Sequence, residues 1–206
     1  MDPRIWWYLT RASGVTAWVF ATASVVTGLV LSSRRLERRR PNWQLDLHRH
    51  ESTLALGALA LHLGALVADS YVHVTAADLF VPLHFGWRPG AVALGILGLY
   101  GMALVEVSSR LRRHLSKRTW RSLHLVSYAV FALTTAHFVS AGTDARHPVL
   151  RAAVLLAVAL VGGLTIVRVM AAAGRGRREP ARVAARAAGG PGVPSTAPAA
   201  GRPRRG

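Results

Sequence analysis

The chain has 206 residues, 51% of them hydrophobic, with no cysteine and a formal net charge of +17. The lack of cysteine excludes disulfides, iron–sulfur clusters and thiolate metal sites, so redox chemistry would have to use histidine-held metal or a bound organic cofactor. The charge excludes less than its size suggests: it is gathered in particular connections and in the C-terminal stretch, as in the flanks of membrane spans, and no nucleic-acid partner is expected.

Crossing a hydrocarbon core of roughly 30 Å takes about 20 apolar residues, and five segments qualify: 12–33, 52–72, 89–109, 121–141 and 149–171. The first reads as a span and not as a cleaved signal, because its N-terminal flank is weakly basic and the apolar run continues to full length. Between spans one and two lie Arg34, Arg35, Arg38, Arg39, Arg40 and Arg49; between three and four lie Arg110, Arg112, Arg113, Lys117, Arg118 and Arg121. With Arg168 and the arginines after it, one side of the membrane receives 21 basic residues and the other 5, namely Arg4, Arg11, Arg88, Arg146 and Arg151. Positive residues stay inside, so the N-terminus is expected outside and the C-terminus in the cytoplasm. Trp6, Trp7, Tyr8, Tyr71 and Trp87 then mark the outer interface, and Trp43 and Trp120 the inner one.

Gly95, Gly98 and Gly101 in span three, and Gly57 and Gly64 in span two, permit close approach of a helix or a cofactor. From about residue 173 the chain is Ala, Gly, Pro and Arg without periodicity, which reads as a disordered cytoplasmic tail. The expectation is an all-α membrane protein, a five-helix bundle over 1–172 with a tail over 173–206, in a cell (inner or plasma) membrane. Arginine almost to the exclusion of lysine, with abundant Ala and Gly, suits a bacterial source. No nucleotide-binding βαβ unit or phosphate loop is present.

Two histidine pairs carry the chemistry. His48 and His62 are fourteen residues apart on span two, and His124 and His137 thirteen apart on span four. Ionisable side chains within spans are costly and usually functional, and imidazole is a common axial ligand of haem iron. Spans two and four run in the same direction, so His48 and His124 share a depth near the cytoplasmic face, and His62 and His137 share one further out. The two levels are about 20 Å apart at about 1.5 Å rise per residue. Each level offers two imidazoles, enough to hold one haem by bis-histidine ligation, with two haems forming an electron path. Arg49 follows His48, and Arg121 precedes His124 by three, so both are candidates to pair with the inner haem's propionates. The plainer reading is that intramembrane histidines bond neighbouring helices; four at two matched depths weigh against it.

One spacing does not close. Fourteen residues make about 3.9 helical turns and keep His48 and His62 on one face, whereas thirteen make about 3.6 and separate His124 from His137. Span four must be irregular or tilted, or the haems must be offset. His50 competes with His48 as inner ligand. His114 lies in a basic loop, and His147 precedes Pro148 at the outer interface. His73 and His84 share an outer loop with Asp69 and Asp78, where a metal ion or an acceptor would bind, or where polar residues simply meet the interface.

These pairs resemble the ferric reductase-like transmembrane domain family, which includes NADPH oxidases, yeast-type ferric reductases and the membrane cytochrome of periplasmic methionine sulfoxide reductase. Asp69-Ser-Tyr-Val-His73, Arg88-Pro89, Trp120-Arg-Ser-Leu-His124 and Ala141-Gly-Thr-Asp144 look most like its short actinobacterial members. The resemblance covers roughly residues 10–170. It implies two haem b groups, one held by His48 with His124 and one by His62 with His137, and supplies a precedent for the thirteen-residue spacing. Five spans stand where six are common, and there is no room for the flavin and nicotinamide domains of the oxidases. The electron donor is then a flavoprotein, a free flavin or a quinol on the cytoplasmic side, and the acceptor lies outside, such as ferric iron or a partner reductase. Two alternatives remain open: a quinone-linked cytochrome b subunit of a larger complex, and a non-redox transporter or assembly subunit whose histidines bind metal or relay protons.

Overall fold

Backbone polar groups in a bilayer must find partners within their own segment, so a long apolar run becomes a helix. The computed structural model describes residues 4–32, 42–71 and 73–188, with side chains through 173. Val72, the basic run Arg34, Arg35, Arg38, Arg39 and Arg40, and the stretch 189–206 lie outside the described residues. The helices are α1 (Ile5–Ser32), α2 (Asn42–Ala68), α3 (Ala76–Phe80), α4 (Pro89–Arg110), α5 (Lys117–His124), α6 (Val126–Ala141) and α7 (Pro148–Ala188), with no strand among the described residues. Five stretches are long and apolar enough to cross a membrane: Ile5–Ser32, Asn42–Ala68, Pro89–Arg110, Lys117–Ala141 and Pro148–Ala173. The all-α architecture with five spans is therefore present. Two spans begin ahead of residues 12 and 52, at Ile5 and Asn42: α1 takes in the interfacial stretch 5–9, and in α2 helical hydrogen bonding runs on through polar first turns.

Residues up to 165 form one unit. In it α2 packs along α1, α6 along α4, and α1 also touches α6, whereas α2 and α6 are not a closely packed pair. The bundle is thus two helix pairs joined through α1 and α6, with the histidine-bearing helices α2 and α6 each backed by a different neighbour. The joint is built on Trp18 of α1, which stacks on Phe138 of α6 with ring centres 5.0 Å apart and planes within 9°. Its indole N–H, costly to bury alone, donates to Thr135 Oγ1 at 3.0 Å. Ala157 of α7 closes this small core. Leu54, Leu61, Leu104, Val107, Leu155 and Leu156 are exposed on the bundle, the surface a bilayer would cover. Arg11 pairs with Asp144, which ties the start of α1 to the turn after α6.

Span four is broken, one of the ways its thirteen-residue spacing can be met. Leu125 separates α5 from α6, and Tyr128 N–H bonds the Leu125 carbonyl at 3.1 Å in an i→i−3 turn, tighter than the α-helical repeat. This rotates the helix between His124 and His137. Of the glycines expected to permit close approach, Gly95 meets His137, Gly98 meets Thr134 and Gly101 meets Val130, while Gly57 and Gly64 have open space beside them.

The second unit begins at Ile166, within α7. Helix α7 runs on through Ala188. Ala and Arg dominate 171–188 and are among the strongest helix formers, enough to carry the helix past Gly174, Gly176 and Pro180.

Candidate functional site

Three of the four intramembrane histidines are pinned in the same way. His62 Nδ1 donates to the carbonyl of Thr10 at 2.8 Å, and His137 Nδ1 to the carbonyl of Ala91 at 2.7 Å. One level away, His48 Nδ1 donates to the carbonyl of Ser24 at 2.9 Å, with the Ser24 hydroxyl at 3.1 Å. A carbonyl only accepts, so each Nδ1 carries the ring proton and each Nε2 keeps a lone pair free for a metal. This is the outer-shell arrangement that orients ligating imidazoles and raises their basicity.

Room for each ring comes from a glycine four residues after the accepting residue. A Cβ built on Gly14 would lie 3.0 Å from His62 Nδ1, one on Gly95 2.8 Å from His137 Nδ1, and one on Gly28 3.3 Å from His48 Cε1. On a helix, residue i+4 stands directly over the carbonyl of residue i, so a glycine there opens a notch through which an imidazole reaches that carbonyl. Helix α1 carries the device twice, Thr10 with Gly14 and Ser24 with Gly28, at the same fourteen-residue interval that separates His48 from His62.

His124 is the exception. No carbonyl fixes it: its Nδ1 is buried without a partner among the described residues. The ring stacks on Trp120, one turn earlier, with centres 5.0 Å apart and planes at 22°. The Arg112 guanidinium lies over that indole, 4.5 Å from its centre. Trp120 Nε1 and Gln44 Oε1 are also buried and unpaired, one helical turn before His124 and His48 respectively. Three orphaned polar atoms at one level are unusual for a closed interior and suit the edge of a site for a further polar group.

At this level the rings of His48 and His124 meet edge-on, 6.2 Å between centres and 77° between planes. A six-coordinate iron between two imidazoles needs about 2 Å of metal–nitrogen bond and roughly 1 Å of ring on each side, which puts the ring centres about 6 Å apart. The residues fit that requirement. No cluster of three or more His, Asp or Glu side chains suited to a bare metal ion occurs among the described residues. Two imidazoles suffice for haem, whose macrocycle supplies the remaining four nitrogens.

The competing candidates fall elsewhere. His50 is exposed and bonds the carbonyl of Asp46 on its own helix at 2.7 Å, so it faces away from His124. Arg49 pairs with Asp46 at 3.3 Å, and Arg121 and Arg112 are both exposed, Arg112 with its guanidinium over the Trp120 indole. Arg88 sits in the left-handed region at φ 46°, donates to the Ser140 carbonyl and stacks on Trp87. In the connection between α2 and α4, Asp78 and Thr75 form the capping box of α3, and His84 Nδ1 contacts Asp78 at 2.8 Å. The Thr75 hydroxyl and backbone N–H, with help from His84, hold the Asp78 carboxyl down at about 2. Asp78 is thus a cap for α3, and His73 and Asp69 do not join it in a cluster able to hold a metal.

The notch glycines, their carbonyl partners and the Arg112–Trp120 stack were not anticipated from sequence. A signal for part of this exists: a hydroxyl residue followed four later by glycine, twice at a fourteen-residue interval, opposite two histidines at the same interval. No protein-family model matches the chain, and neither the curated proteins nor the solved structures contain a match.

Proposed function

We propose that this chain is a multi-pass haem protein of a bacterial cell membrane, carrying electrons from the cytoplasmic side to an acceptor outside through two b-type haems. The observation that carries the reading is the approach of His48 and His124 from different helices, with ring centres 6.2 Å apart. The shared pinning of His48, His62 and His137, each with Nδ1 on a carbonyl and Nε2 free, supports it. His48 and His124 would hold the inner group, and His62 and His137 the outer one. Bound haem supplies one-electron chemistry at each level.

The chain's own contribution is positional. Carbonyls of Thr10, Ser24 and Ala91 fix three rings, and glycines 14, 28 and 95 make the space for them. The spacing of about 20 Å between levels follows from the fourteen-residue interval along α2. The apolar exterior keeps water and bulk ions from the path. The basic connections, with Arg112, Arg113, Lys117 and Arg118, support the assignment of that face to the cytoplasm. There a flavoprotein, a flavin or a quinol would deliver electrons, and outside a ferric chelate or a partner reductase would receive them.

The test is electron crossing. Purified protein in sealed vesicles with reduced flavin enclosed should reduce ferricyanide outside, and His48→Ala should abolish the transfer. Equal transfer in empty vesicles or in the variant would overturn the proposal.

A further inference from the structure

The inner level is built asymmetrically, and the asymmetry has an electronic consequence. Both outer imidazoles donate Nδ1–H to backbone carbonyls, from His62 to Thr10 and from His137 to Ala91. At the inner level only His48 does so, to Ser24. His124 is held instead between its helix and the face of Trp120, with the Arg112 guanidinium on that same indole.

A carbonyl accepting from Nδ1–H pushes electron density towards Nε2 and makes the imidazole a stronger donor, which favours ferric over ferrous iron. A ring without that partner, with an exposed guanidinium stacked on its neighbouring indole, donates less and favours the reduced state. We propose that Arg112, acting through Trp120 on His124, sets the inner haem at a higher reduction potential than the outer one, so that electrons entering from the cytoplasm pool at the inner level.

Arg112 and Trp120 are positioning residues on this account, since neither touches the metal. The inference rests on the two-haem reading above. The step at stake is the addition of one electron to a ferric centre, with no bond made or broken. The electron comes from a reduced flavin or quinol in the membrane, or from dithionite in a titration. A cation about 10 Å from the ligand ring, at an effective dielectric near 20, changes such an equilibrium on the order of tenfold.

The experiment is a mediated redox titration of the purified holoprotein, followed by visible absorbance. Titrating His137→Ala, in which only the inner site remains, assigns the two waves. Wild type should show two waves with the inner one higher. Arg112→Gln should lower the inner wave by about tenfold in equilibrium constant, about 59 mV for one electron, and leave the outer wave in place. Arg112→Lys should restore most of the shift, and Trp120→Leu, which removes the intervening ring, should lower the same wave. Haem content is measured on every sample: wild type without haem overturns this inference together with the two-haem reading. Two haems present with Arg112→Gln leaving both waves unmoved, or moving both equally, overturn the inference alone. If Arg112→Gln does not yield folded protein, an inner wave unmoved by Trp120→Leu overturns it equally.

Discussion

Replacing Gly95 by alanine tests whether the His137 ring must occupy its notch when it acts as a ligand. The added methyl would stand 2.8 Å from both Cε1 and Nδ1 of His137, closer than carbon and nitrogen atoms tolerate. A free imidazole can swing aside, but a ligated one cannot, so the strain falls on the haem-bound state. Overpacking of this kind costs the ligated state about 1–3 kcal/mol; the free ring escapes it by giving up its 2.7 Å hydrogen bond to Ala91, about 1 kcal/mol, which offsets part of the difference. The gain of up to ~1 kcal/mol from replacing glycine by alanine in a helix is common to bound and unbound protein and cancels. The net weakening is about 1 kcal/mol, roughly fivefold in affinity at the outer site. The structure also predicts a graded series. Gly14→Ala, at 3.0 Å from His62, should weaken the outer site less; Gly28→Ala, at 3.3 Å from His48, should be nearly tolerated; and Gly57→Ala, with nothing within 4 Å, should be silent. The assay is haem retained per chain after competition with apomyoglobin. Full retention in Gly95→Ala, or equal losses in Gly95→Ala and Gly57→Ala, would refute the notch argument.

Ligand pairing should follow level: alanine at His62 or His137 removes one haem, alanine at His48 or His124 removes the other, and His50→Ala keeps both, as read in difference spectra. Loss of a haem in His50→Ala would reassign the inner ligand. The α3 cap should respond to acid. Because the Asp78 carboxyl is lowered from 3.8 to about 2, its contribution is complete above about 3.8 and is lost as pH falls through about 2. Amide exchange in Ala76–Phe80 should therefore be slow at pH 5 and quicken near pH 2, and Asp78→Asn should be fast at both. Slow exchange in the variant would make the cap unimportant. A reporter fused after Gly206 should behave as cytoplasmic; activity of that fusion in an extracytoplasmic assay would invert the direction of transfer.

The spans were legible because length and hydropathy determine what a bilayer admits, and the four histidines stood out as ionisable groups inside those spans. Even a break such as that at Leu125 was one of the options, since thirteen residues cannot return an ideal helix to the same face; its position was not legible, because neither proline nor glycine marks it. The notches were harder. Gly14 and Gly28 take their meaning only from facing His62 and His48, and the register between two helices is absent from either helix alone. Gly57 looked equivalent in sequence and has nothing beside it. Arg112 was not singled out because it lies in the connection before α5 and reaches the His124 neighbourhood only through Trp120, while Arg49 and Arg121 are nearer in sequence. The helical stretch up to Ala188 was missed because glycine and proline were given more weight than the alanines and arginines around them.

The most direct test of the central claim is haem quantification of the purified protein by pyridine haemochrome, combined with a reduced-minus-oxidised spectrum. The account predicts two low-spin b-type haems per polypeptide. One haem would leave a histidine pair without a role, and none would contradict the account.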